Sequence, residues 1–195
     1  MKIAQSFFKY RSYTPIPLVL LLLYQAHPGL PWIVPGFGLL FLGEAIRFWA
    51  VRHAGGATRT REVGAPSLVT SGPYGYVRNP LYLGNMFIYA GIVFIASGPW
   101  MWELFLIAII FFTIQYLLII SLEETTLEEM FGEHYESYRK HVGRFIPGLR
   151  PWGNTVRPSR EHFSIRETLK PEKSTLMNMA MVLILLGGKW LYLHL

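Results

Sequence analysis

Apolar residues along this chain gather in long runs separated by short polar or basic segments. Residues 30–51 are apolar apart from Glu44 and Arg47, and residues 81–97 carry no charge. Residues 99–122 carry only Glu103, and residues 176–193 carry only Lys189. At 1.5 Å per residue, runs of roughly 17–25 residues can cross the hydrocarbon core of a bilayer. An earlier stretch, residues 15–27, is apolar but short. It follows Lys2, Lys9 and Arg11 as a signal-peptide core would, yet no A-x-A cleavage motif comes after it. It is read as a first membrane helix, extended by residues 7–13. The pattern predicts an all-α, polytopic membrane helix bundle of about five transmembrane helices.

After the fourth predicted span the periodicity changes. From Glu123 the sequence reads EETTLEEMFGEHYESYRKHVGRFIP, in which Leu127, Phe131, Tyr135, Tyr138 and Val142 recur at helical spacing. That predicts a cytoplasmic amphipathic helix, ended by Pro147 and Pro151. The segment 52–79 contains Gly55-Gly56, Gly64 and Gly72-Pro73 and is predicted to be mostly loop. Residues 149–173 are predicted to be a polar linker, and residues 174–195 an additional C-terminal membrane helix. A chain of 195 residues suits one domain, and no internal repeat is visible.

Composition supports the membrane reading. Hydrophobic residues make up 52% and charged residues 15%, with a mean hydropathy of +0.31. A soluble domain carries about 25% charge, so this chain has too little polar surface to coat itself. The lack of Cys excludes disulfides, thiolate nucleophiles and Cys-ligated zinc. There is no Asp, so every side-chain carboxylate is one of twelve Glu. The net charge of +6 is read as topology and attraction to anionic lipid, with no nucleic-acid partner expected. Sixteen of the eighteen basic residues lie in the N-terminus and in segments 52–78 and 139–173. The connections 27–31 and 98–101 hold none. The positive-inside rule then puts the N-terminus and both segments in the cytoplasm, with the C-terminus outside if there are five spans.

The densest stretch of candidate chemistry is GPYGYVRNPLYLG, residues 72–84. Asn79 suits a helix cap and Pro80 the first helical position. A membrane helix opening there would offer N–H groups and a positive dipole end to an anion, with Arg78 beside it. The same residues suit an interfacial belt, with Tyr74, Tyr76 and Tyr82 at headgroup depth and Arg78 on lipid phosphate. Glu123 and Glu124 close the longest apolar run, where carboxylates at a helix end would oppose the dipole. Either the helix runs on, or the pair faces ribose hydroxyls or a cation; the two readings are compatible. Glu44 and Arg47, three apart on one helix face, form a mutually neutralised pair or a functional site. His134 and His141 are seven apart, outside the three-to-five spacing of metal pairs, so no metal is expected. Gly36-Phe37-Gly38 lacks the third glycine of a dinucleotide fingerprint.

The segment LVTSGPYGYVRNPLYLG, followed after one membrane hairpin by the EETTLEEMFGEHYESYRKH stretch, resembles the isoprenylcysteine carboxyl methyltransferase and phospholipid methyltransferase family over about residues 40–148. The resemblance implies a membrane-embedded enzyme that uses S-adenosylmethionine. Its methyl acceptor would be a membrane lipid or lipidated small molecule, and its site would lie on the cytoplasmic side. Cofactor contacts carried over from the family fall on Ser67, Leu68, Val69, Tyr74, Asn79, Pro80, Leu81, Tyr82 and Glu123. Catalytic roles fall on Glu123, Glu124 and Arg78. The family's Arg-His-Pro is Arg78-Asn79-Pro80 here; Asn keeps the hydrogen bonding but not proton transfer. The family's prenylcysteine enzymes carry an Arg four residues before the position of Glu123, where this chain has Ile119. That departure implies an acceptor without a carboxylate, such as an amine-headed lipid. A membrane reductase sharing the helical core is the second reading, without a basic cluster suited to a nicotinamide phosphate. A transporter or non-enzymatic module is the third, without paired broken helices or mid-membrane charges in residues 81–97 and 104–122.

Overall fold

The computed structural model describes residues 2–55, 64, 67–152 and 163–195. Among these the chain is helical: α1 Lys2–Tyr10, α2 Ile16–Gln25, α3 Leu30–Ala54, α4 Pro80–Ala96, α5 Met101–Phe131, α6 Glu133–His141 and α7 Ile165–His194. A 3-10 turn, Gly72–Gly75, precedes α4. The helices α3, α5 and α7 are long and apolar enough to cross a membrane. The 17 residues of α4 rise about 25 Å, near the lower limit for a span. The predicted first span differs more. The 10 residues of α2 rise about 15 Å, half the hydrocarbon thickness. Pro15 and Pro17 remove amide donors between α1 and α2 and break the helix there.

The closest packing is between α3 and α4. A Cβ added to Gly43 would fall 2.6 Å from the Gly84 carbonyl oxygen, and one added to Gly91 would fall 2.6 Å from that of Gly36. Two glycine pairs, two helical turns apart, thus let antiparallel backbones touch. Gly36, unpromising as a nucleotide motif, is a packing residue.

Polar contacts tie the helix ends together. At one end Gln25 Nε2 donates to the Ser97 carbonyl (2.6 Å), Gln25 Oε1 accepts from Trp100 N (3.1 Å), and His27 N donates to Ala96 O (2.9 Å). Lys189 Nζ of α7 donates there to the carbonyls of Leu23 (2.8 Å) and Tyr24, acceptors that the end of α2 leaves open. About 25 Å away along α7, Glu172 meets Arg47 of α3. Helix α7 is therefore pinned at both ends by charge.

Three boundaries depart from expectation. Helix α5 passes through Glu123 and Glu124 to Phe131, so the dipole objection to that pair disappears. The predicted amphipathic helix is split by Gly132 at φ 51°, a conformation that favours glycine, and α6 stops at His141 rather than at the prolines. The predicted face holds all the same: Tyr135, Tyr138 and Val142 are buried together with Leu127, Phe131, Leu68 and Trp152. The linker expected to reach residue 173 is helical from Ile165, because Ser164 and Glu167 form a reciprocal capping box. Gly56, which the loop reading used, lies outside the described residues.

The glycine contact generates a contrast within one helix. Gly43→Leu should destabilise the protein by roughly 1–3 kcal/mol or more through overpacking. Gly38→Ala has nothing within 4 Å of the added carbon and should stabilise by about 0.5–1 kcal/mol. Thermal unfolding in mild detergent distinguishes them.

Candidate functional site

The end of the bundle rich in basic residues is built from two sequence-distant loops. Arg78 N donates to Gly143 O (2.8 Å), Gly148 N to Tyr76 O (2.8 Å) and Trp152 N to Gly75 O (2.9 Å). Tyr138 Oη donates to the Tyr74 carbonyl at 2.7 Å. The segment after α6 thereby covers the opening of α4. Helix α4 begins at Pro80 as predicted, but Asn79 makes no side-chain cap. Its Nδ2 instead donates to Arg144 O at 3.1 Å, fastening the covering segment to the helix opening. The N–H groups of Leu81 and Tyr82 remain first-turn donors.

The two adjacent glutamates separate into different environments. Glu124 is buried and receives Arg78 through Nε (3.1 Å) and Nη2 (2.9 Å), and Arg144 through Nε (3.2 Å) and Nη2. Arg78 Nη1 also donates to the carbonyls of Arg139 (2.9 Å) and Val142 (2.6 Å), the latter just past the last turn of α6. Glu124 and Arg78, both expected to act on substrate, are thus committed to each other, and together they hold α5, α6 and the mouth of α4. Glu123 is half-buried and turns to α4 instead. One of its oxygens accepts from Tyr82 Oη at 2.9 Å, and a carboxylate retains further lone pairs for other donors.

Aromatic rings pack against one another one turn deeper. Tyr82 lies against Tyr116 with centroids 4.6 Å apart, and Tyr89 stacks on Phe112 at 4.0 Å. Asn85 and Tyr89 stand beside Tyr116. Asn85 Oδ1 in turn accepts from Arg47 Nη1 at 2.6 Å. Arg47 Nη2 donates to both oxygens of Glu172 at 2.8 Å, while Glu44 stands 3.9 Å from Arg47 Nε. The pairing of Glu44 with Arg47 expected from spacing is therefore secondary to one with α7. Burial pushes the Tyr74 phenol well above its ordinary value; Glu123 adds to the rise and Arg47 opposes it.

Of the residues predicted to form a site, Tyr82 and Glu123 are in direct contact. Tyr74, Asn79, Pro80 and Leu81 stand around the α4 opening. Leu68 packs on the Tyr135 and Tyr138 cluster, and Ser67 is exposed, with Val69 partly buried beside it. Asn85, through its hydrogen bond with Arg47, and Tyr116, through its ring contact with Tyr82, were not singled out in the sequence. Their signal was a polar residue inside an apolar run, which also marks Gln115.

Compared with known proteins, residues 32–134 match the family model described as phospholipid methyltransferase. Over 119 residues the chain is 36% identical to the methanethiol S-methyltransferase of Pseudomonas deceptionensis, covering 59% of this chain and 43% of that protein. It is 34% identical over 116 residues to the protein-S-isoprenylcysteine O-methyltransferase of Schizosaccharomyces pombe, covering 56% and 47% respectively. The matches thus span less than half the length of these relatives.

The ion-pair arrangement orders two substitutions. The Arg78 side chain is 10% exposed and that of Arg144 is 37% exposed. Arg78→Gln should cost about 1.5–3 kcal/mol, because Glu124 keeps Arg144 but loses its more buried partner, and the Arg139 and Val142 carbonyls lose their donor. Arg144→Gln should cost about 1 kcal/mol or less. Equal losses in denaturation of the two variants would contradict this division.

Proposed function

Because the chain belongs to the phospholipid methyltransferase family, we propose that it is a membrane-embedded, S-adenosylmethionine-dependent methyltransferase acting on a membrane-soluble acceptor that carries no carboxylate. The observation that carries this reading is the Tyr82–Glu123 pair beside the opening of α4. The donor set suits the cofactor. Glu123 can accept from vicinal ribose hydroxyls, and the first-turn N–H groups of α4 can receive the methionine carboxylate. The faces of Tyr82 and Tyr116 suit a sulfonium cation.

When bound, S-adenosylmethionine supplies an already activated methyl group, so the protein's task is alignment and exclusion of water. Tyr82 orients the Glu123 carboxylate. The Glu124 knot holds the covering segment in place, and Asn79 fastens that segment to α4. The acceptor class follows from Ile119, which is fully buried among Phe8, Phe112, Tyr116 and Ile120. Ile119 brings no charge to that position, and Arg11 beside Phe8 donates to the Phe8 carbonyl at 2.8 Å; a buried carboxylate without a cation is costly. An amine-headed lipid or a small thiol meets that constraint; the relatives' names include both a thiol and a prenylcysteine acceptor.

The same reading sets topology. The basic end faces the cytoplasm, and α1 with α2 forms one broken crossing, which with α3, α4, α5 and α7 makes five. A reporter fused after Leu195 should read as extracytoplasmic, whereas one inserted near Pro158 should read as cytoplasmic. Two cytoplasmic readouts would contradict the five crossings.

Glu123→Gln keeps the shape and removes the charge. A hydrogen bond to a charged group contributes about 1.5–3 kcal/mol, so calorimetric affinity for S-adenosylmethionine should fall roughly tenfold to a hundredfold. Unchanged affinity in the folded variant would remove Glu123 from the cofactor site. With labelled cofactor, transfer to amine lipids or thiols should exceed esterification of a farnesylcysteine analogue; the reverse order would overturn the acceptor class.

A further inference from the structure

Arg47 lies about 10 Å along α3 from its end at Ala54, and it is buried. Its guanidinium has the charge and fork geometry that receive a carboxylate. Of the other cations near the site, Arg78 and Arg144 hold Glu124, and Arg11 donates to the Phe8 carbonyl at 2.8 Å and lies over the Phe8 ring. The place of Arg47 relative to the candidate cofactor residues is fixed by α4. Tyr82, which holds Glu123, and Asn85, which holds Arg47, stand one turn apart on one face of that helix. Tyr116 stands beside both, its ring tilted against that of Tyr82 with centroids 4.6 Å apart. Arg47 is therefore the cation one turn deeper than the Tyr82–Glu123 pair, where an acceptor entering from the bilayer would present its head.

That cation is already occupied. Glu172 meets it with both oxygens at 2.8 Å and is 1% exposed, and Thr175 adds a contact at 3.3 Å. Glu172 belongs to α7, beyond the residues 32–134 matched by the family model. We propose that Glu172 is a specificity-determining residue: by occupying Arg47 from α7, it closes the site to acceptors that carry a carboxylate. The proposal rests on the methyltransferase reading and names what that site excludes. Removing the charge of Glu172 frees Arg47 Nη2, while Glu44 and Asn85 keep their places at Nε and Nη1, and Nη2 then binds an acidic amphiphile.

The test compares N-acetyl-S-farnesylcysteine with its uncharged carboxamide, binding each to the purified full-length chain in detergent without cofactor. The wild-type chain is expected to bind the carboxamide more tightly than the acid. Glu172→Gln should favour the acid by about tenfold or more, the size of one charge-assisted hydrogen bond. The preference should vanish in the Arg47→Gln/Glu172→Gln double variant, and Glu172→Asp should behave as wild type. A folded Glu172→Gln variant with no preference for the acid overturns the proposal, as does a preference that survives in the double variant. Should Glu172→Gln fail to fold, Glu172→Ala is read by thermal unfolding. Sodium formate should raise its midpoint relative to sodium chloride, and no difference between the salts overturns the proposal. Failure of the wild-type chain to bind S-adenosylmethionine would strike the methyltransferase reading alone, because the acid-to-amide ratio is measured without the cofactor.

Discussion

Two helices whose backbones touch cannot slide past each other, and the contact of α3 with α4 fixes the height of nearly everything that matters. Gly43 and Gly84 leave no room for a side chain between them, and a carbon added at Gly84 would also meet Arg47 Cγ at 2.6 Å. The glycine therefore makes space for the stem of Arg47 and sets its guanidinium against Asn85, the next residue of α4. One turn toward the basic end, the same register presents Tyr82 to Glu123 of α5. In the absence of a hydrophobic drive between helices in lipid, close packing of this kind is what specifies an arrangement.

Charge completes what packing begins. Arg47 of α3 is matched to Glu172 of α7, and Arg78 with Arg144 to Glu124 of α5. Such pairs add little net stability over apolar packing, but breaking one leaves a stranded charge. They therefore select one arrangement of α3, α5, α7 and the covering segment. The covering segment, in turn, presents the α4 opening and Glu123 as one site.

How much of this was legible in the sequence depended on the range of the interaction. The apolar runs of α3, α5 and α7 could be read directly, because preference for the bilayer is a property of a run by itself. The α4 start was legible from Asn79-Pro80 for the same local reason, although Asn79 turned its side chain to Arg144. The split of α1 from α2 by prolines, the break at Gly132 and the Ser164–Glu167 capping box all had local signals that the apolar and helical periodicities overrode. The pairing of Arg47 with Glu172 crosses 125 residues, and no spacing rule reaches that far. Nor could sequence divide Glu123 from Glu124. Neighbours on a helix point about 100° apart, and which one turns to α4 depends on the rotation of α5.

The proposed cofactor site lies at the basic end, and amide hydrogen exchange on the full chain in lipid nanodiscs tests its location most directly. Exchange is compared with and without S-adenosylhomocysteine. Protection is expected across residues 74–83 and in the covering residues 142–152, with the opposite turn at residues 97–100 unchanged. No protection at saturating ligand, or protection confined to that opposite turn, would contradict a site built on Tyr82 and Glu123.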